Sequence, residues 1–290
     1  MIFEYLIHIL ILVGIYTILA LSLNLALGYS GLLNLAHVSL FGIGAYTSVL
    51  LNMQGFPFVL SIIASGIVSA LFGFILVFST KKLKGDYYAL ASLGFAFVVY
   101  SLLLNLISIT RGPLGISGIP RPSIFSFVIN DNFTYLIFVL LFLLITLILF
   151  SKVVRSPFGK LLEAMRDDEL SLRILGKNTY RLKYKSMSIS AFFAGLAGSL
   201  FAHYIGYIDP NMFYINEIIL IISIVIVGGV ASLRGSVVAT VIIIFLSELL
   251  RFIHLPSSIV GPGRQIIYSI ILLLILMKKP RGLFGRIDLE

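Results

Sequence analysis

Apolar residues in this chain come in long runs separated by short polar stretches. The runs fall at about 2–27, 32–51, 58–79, 87–107, 133–150, 186–207, 215–230, 236–252 and 266–277. A helix needs about 20 mostly apolar residues to cross the hydrocarbon layer of a bilayer. The pattern therefore predicts an all-α, polytopic transmembrane bundle of nine helices. The count becomes eight or ten if the three short C-terminal runs are tilted, broken or re-entrant. One membrane domain over 1–290 accounts for the whole chain.

One polar stretch differs from the other connections. Residues 151–185, SKVVRSPFGKLLEAMRDDELSLRILGKNTYRLKYK, hold thirteen of the chain's thirty-three Asp, Glu, Lys and Arg residues. Ser156 is suited to an N-cap and Pro157 to the first helical position. Phe158, Leu161, Leu162 and Met165 then follow at i, i+3, i+4 and i+7, a single apolar stripe on a polar helix. After Asp167-Asp168-Glu169 the pattern predicts a second short helix with Leu172 and Leu175 on one side and Gly176 as its stop. A free helical hairpin of this length does not hold itself together in water. Its stripe must lie against the membrane part or a partner; the plainer alternative is a solvated connection between two spans.

Composition narrows the class. Hydrophobic residues make up 59% of the chain and charged residues 11%, with a mean hydropathy of +1.10. Soluble globular chains carry about a quarter charged residues. The net charge of +9 fits basic residues gathered in cytoplasmic connections and gives no reason to invoke nucleic acid. Sixteen of the twenty-one Lys and Arg residues lie at 81–84, in 151–185 and after 277. Span parity puts those three segments on one side, so the N-terminus is expected outside and the C-terminus in the cytoplasm. The first run has no basic leader or small-residue cleavage pattern and reads as a retained helix. With no cysteine, disulfides and thiolate chemistry are excluded.

The second run, GYSGLLNLAHVSLFGIGAYTSVLL, combines Gly42 and Gly44 with Asn34, His37 and Ser39. Asn34 and His37 share a helical face that is costly to turn toward lipid. They read either as hydrogen-bond glue between helices or as the lining of a polar path. The sixth run repeats small residues at Ser190, Ala194, Gly198 and Ala202, and again at Ala191, Gly195 and Ser199, a face for close helix packing. His203 reads as interfacial. Glu248 and Arg251 read as a neutralising pair. No metal-binding or catalytic constellation stands out, no cofactor is implied, and no carboxylate falls mid-membrane as an ion-coupling site. Energy for transport is then expected to enter through the 151–185 hairpin.

Four stretches together resemble the permease subunits of ATP-binding-cassette importers for branched-chain amino acids, in particular the LivM-like branch: LNLALGYSGLLNLAHVSLFGIGAYTSVLL, LKGDYYALASLGFAFVVYSLL, SPFGKLLEAMRDDELSLRILGKNTYRLKYKSMSISAFFAGLAGSLFAHY and IVIVGGVASLRGSVVAT. They cover essentially the whole chain in order. The resemblance implies a bacterial or archaeal cytoplasmic-membrane importer. Its partners would be two cytoplasmic ATPases, a second homologous permease subunit, an external binding protein and the surrounding membrane lipid. It also implies that Phe158, Gly159, Glu163, Ala164, Arg166, Asp168, Glu169 and Gly176 belong to the ATPase-coupling helix. Asp167 departs from the glutamate usual there but keeps the charge. Asn34, His37, Ser39, Gly42 and Gly44, read from the second run itself, are the candidates for the translocation path. Importers of urea or another small polar solute, and ion-coupled carriers, remain the alternatives.

Overall fold

The computed structural model describes residues 2–124, 127–249 and 281–285, together with some residues of 263–279. Six of the expected spans form helices long and apolar enough to cross a membrane. Helix α1 (Ile2–Asn24) continues through a wider π-helical turn, Leu25–Tyr29. Helix α2 (His37–Met53) starts five residues later than the apolar run does. The delay has a local cause. Gly31 takes a left-handed φ of 68°, and Asn34 Oδ1 accepts the N–H of Ala36 at 3.0 Å. Such a side-chain bond offers the backbone an alternative to the helix.

Helices α3 (Phe58–Thr80), α4 (Gly85–Asn105), the single turn α5 (Ile107–Thr110) and α6 (Asn132–Arg155) follow. The polar stretch forms α7 (Pro157–Asp167) and α8 (Glu169–Ile174), after which α9 (Thr179–Ile205), α10 (Ile215–Gly228) and α11 (Leu233–Leu249) complete the described bundle. The eighth run is thus a 17-residue helix at most partly covering its expected range, and of the ninth, 266–277, eight of twelve residues are described, all of them helical.

Helix α9 runs through the centre, between α2 and α3 and against α1. Its small residues permit the close approach: a Cβ on Gly195 would overlap Ser69 of α3, and one on Gly198 would overlap the Phe41 carbonyl of α2. In a bilayer, where apolar burial gains little, such van der Waals contact between backbones is a main source of association. Helices α3, α4 and α6 instead present outward Leu71, Leu90 and Leu144, each more than half exposed, as lipid-facing helices do.

The bundle has two unlike ends. At one, the loop after α4 is held by a two-residue pairing of β1 (Ile116–Ser117) with β4 (Tyr207–Ile208), while β2 (Ser123–Ile124) pairs with β3 (Phe127–Val128). Arg121 there donates to Asn132 at 2.8 Å. The other end collects Lys81–Lys84, α7, α8 and the tail 281–285. The tail docks by backbone, Leu283 N–H to the Val227 carbonyl and Phe284 N–H to that of Gly228, where α10 breaks before α11.

Candidate functional site

At the basic end, α7 and α8 form a docked hairpin. Ser156 caps α7 by accepting the Gly159 N–H at 3.3 Å. Gly159 is buried, and a Cβ there would lie 2.7 Å from the Val153 carbonyl, so α6 and α7 meet at an angle only glycine permits. Of the apolar stripe, Leu162 and Met165 are buried, while Phe158 and Leu161 pack partly buried against the core. The stripe therefore faces the bundle. The opposite face presents Lys160 and Ala164 to solvent, with Glu163 half-buried and making no ion pair among the described residues. On α8 the expected pairing of Leu172 with Leu175 does not occur: Leu172 is buried and Leu175 exposed, because Leu175 is already the residue where the helix ends. Leu170, Ile174 and Leu175 form an uncovered apolar ridge. Gly176 takes φ 76°, the left-handed stop its position suggested.

The acidic knot divides by role. Asp168 caps α8, accepting from the N–H groups of Leu170 and Ser171 and from the Ser171 hydroxyl. Those bonds, the Ser171 hydroxyl first, hold its carboxyl below the usual range. Glu169 turns inward and receives Arg173 Nη2 at 2.5 Å, Lys183 Nζ at 3.0 Å and Thr179 Oγ1 at 3.0 Å, with Lys84 Nζ at 3.9 Å. Burial pushes its carboxyl up, but the lysine, threonine and arginine together outweigh that and leave it lowered. Glu169 thus clasps α8 to α9 and to the α3–α4 turn, which leaves it little reach toward a partner.

Arg166 links this hairpin to the membrane interior. Its Nε and Nη2 hold Asp167, and its Nη1 donates to the Gly28 carbonyl at 2.8 Å. Gly28 sits where three elements meet: a Cβ there would overlap Asn24 Oδ1 and lie 2.5 Å from the Ala231 nitrogen. Asn24, fully buried, accepts the Ala231 N–H at 2.9 Å and donates to the Ser232 carbonyl and Ser236 hydroxyl. One side chain thereby satisfies the backbone exposed by the α10–α11 break. The sequence signal was a lone asparagine inside an apolar run.

Beyond Gly31 the chain rises unwound to Asn34 and His37, both fully buried. Asn34 Nδ2 faces Met187 Sδ at 3.7 Å. Ser22 donates its hydroxyl to the Leu19 carbonyl, so His37 Nε2 must be the donor in their 2.8 Å bond. His37 Nδ1 is then an acceptor, buried and without a partner among the described residues; the Tyr46 hydroxyl, also on α2, is likewise unpartnered. Buried polar atoms ordinarily have partners, supplied by protein or water. Ser39 borders a small cleft between α2, α4 and α10 that Tyr100 and Phe213 also line. Gly42 packs on Phe213, where a Cβ would lie 2.8 Å from the ring, and Gly44 packs directly on the Gly195 backbone.

Other polar groups depart from their expected settings. His203 is fully enclosed: its Nδ1–H donates to the Pro120 carbonyl and Nε2 accepts from Ser48, because the outer loop folds over it. Glu248 accepts from Tyr5 at 2.7 Å; Arg251 lies outside the described residues. Glu217 receives the Tyr16 hydroxyl at 3.1 Å. Tyr16 is about 21 Å along α1 from Ile2 at 1.5 Å per residue, so a carboxylate does reach membrane depth, because the segment before α10 turns back into the bundle.

Residues 5–277 match the family described as branched-chain amino acid transport system, permease component. The chain is similar to the high-affinity branched-chain amino acid transport system permease protein LivM of Salmonella typhimurium, 36% identical over 93% of this chain and 67% of that protein. The Escherichia coli LivM is 35% identical over the same shares. The probable branched-chain amino acid transport permease LivM of Methanocaldococcus jannaschii is 26% identical over 93% of this chain and 90% of that protein. No solved structure matches.

Proposed function

The chain belongs to the branched-chain amino acid transport permease family, and we propose that it forms one half of the membrane path of an ATP-driven importer for leucine, isoleucine and valine. In this reading two cytoplasmic ATPases grip the exposed face of α7 and the Leu170–Ile174–Leu175 ridge. A second, homologous permease subunit completes the path, and an external binding protein delivers the solute. The basic end lies in the cytoplasm, with the N-terminus outside.

The observation that supports this most is the Arg166–Gly28 bond. A displacement of α7 by an ATPase is passed to the turn that ends α1 and to the unwound segment carrying Asn34 and His37. Helices broken within a bundle, with their freed backbone groups satisfied by side chains, are where membrane transporters place solute paths. The unpartnered His37 Nδ1 and Tyr46 hydroxyl are buried polar atoms that water or a polar solute would satisfy. A path with few charges suits a zwitterion that has to be released as well as admitted.

The test is reconstitution of the chain with its ATPases, second permease and binding protein in liposomes, followed by uptake of labelled leucine, isoleucine and valine. ATP-dependent uptake that requires all components is expected. Uptake of urea in preference to these amino acids would reassign the substrate. Gradient-driven uptake by this chain alone would favour an ion-coupled carrier, with Glu217 its first coupling candidate.

A further inference from the structure

At the basic end, α6 and α11 both pack on α1 but touch one another little. The gap between them is a groove of about 940 Å³, floored by Tyr29, Ser232 and Phe284. Three cations line it: Lys152 and Arg155 from the last turn of α6, and Arg234 from the first turn of α11. All three are exposed, and none makes a hydrogen bond or ion pair among the described residues. Three like charges lining one concavity, with no carboxylate among the described residues that line it, repel each other, so an anion there relieves them.

The groove also has an apolar side. Ile148 and Val238 belong to its walls, and from them the lipid-facing flanks continue along α6 through Leu144 and Leu141 and along α11 through Val241 and Ile242. A soluble anion has no use for such flanks. A molecule with a phosphate head and two hydrocarbon tails matches both halves: the phosphate meets the cations at the membrane boundary, and the tails lie down the apolar flanks. Basic pockets between membrane helices at this level are suited to anionic head groups.

We propose that this groove binds an anionic phospholipid, its phosphate held by Lys152, Arg155 and Arg234. The proposal rests on the bundle lying in a membrane and is independent of the solute transported. A lipid seated there touches Tyr29 and Phe284, and so braces the turn that ends α1 against the docked tail.

The experiment is native mass spectrometry of the full chain released from nanodiscs of mixed phosphatidylglycerol and phosphatidylcholine. Retained phosphatidylglycerol should exceed phosphatidylcholine by about fivefold or more, the order expected for even one basic residue near the head group. The variant Lys152→Gln/Arg155→Gln/Arg234→Gln should bring the ratio near parity while eluting and melting as the wild type does. Lys177→Gln/Arg181→Gln, which removes cations at the same end but outside the groove, should keep the preference. Should the triple variant alter folding, Arg234→Gln alone should still lower the ratio severalfold. No preference in the wild type, an unchanged ratio in the groove variants, or an equal loss in the control pair would overturn the site. So would glycerol phosphate displacing the lipid, which would make it a free-phosphate site. A groove variant that loses co-purifying ATPase or second permease with its lipid ratio intact would make this face a protein interface instead.

Discussion

Arg166 Nη1 donates to the Gly28 carbonyl across 2.8 Å, and this bond joins the amphipathic helix at the surface to the point where α1 stops being regular. Arg166→Gln removes the charge-assisted bond and leaves the stripe that docks α7 intact. The complex should still assemble, while transport falls about tenfold, the factor that corresponds to a bond of roughly 1.5 kcal/mol. ATPase co-purification and transport, measured side by side, decide it. Equal loss of both would make Arg166 an assembly residue, and no loss of transport would sink the coupling route.

Glu169 and Asp168 give α8 an acid sensitivity. Both carboxyls are held below their ordinary values, so the stability they supply is present above the unfolded carboxylate range, about 4 to 4.3. It is lost as pH falls through the lower native values. Opening of α8, read as amide hydrogen exchange relative to the intrinsic rate at each pH, should therefore rise only in acid. Glu169→Gln should raise it at neutral pH too, by removing contacts worth roughly 2 kcal/mol with Arg173 and Lys183. Exchange in that variant matching the wild type at neutral pH would show the clasp to be dispensable.

Gly44 and Gly94 look alike in sequence and should behave oppositely. A side chain at Gly44 meets the Gly195 backbone, whereas nothing lies within 4 Å of a Cβ at Gly94. Gly44→Val should cost roughly 2 kcal/mol or more by overpacking two helices whose backbones touch. Gly94→Ala should stay within about 0.5 kcal/mol of the wild type. Melting of the purified chain in detergent separates the two; a neutral Gly44→Val would mean that α2 and α9 are not in contact.

His37 has one ring nitrogen satisfied by Ser22 and the other unpartnered. Under the pathway reading His37→Ala lowers uptake roughly fivefold or more in a complex that still assembles and hydrolyses ATP. Ser22→Ala, which touches only the satisfied nitrogen, should do less. Loss of expression in both variants, with normal uptake by whatever inserts, would make His37 packing glue.

The chain's pattern alone was enough for the membrane class, the position of six spans, the α7–α8 hairpin with its Ser156 cap and Gly176 stop, and the small-residue face of α9. Each of these depends on residues near one another in sequence, where period, cap chemistry and backbone restriction act directly. What the tertiary structure decided depends on pairs far apart. Hydropathy counts Leu32 to Ala36 as part of a span, yet the backbone is not helical there, and the Asn34 side chain takes the Ala36 N–H that a helix would otherwise use. The resemblance implied that Glu169 belongs to the ATPase-coupling helix, and only the fold shows Lys183 and Arg173 drawing its carboxylate inward. Glu217 sits near the start of an apolar run, and only the fold brings it to Tyr16. Composition sees only that a polar residue is present; which distant group satisfies it in a medium without water is settled by the fold.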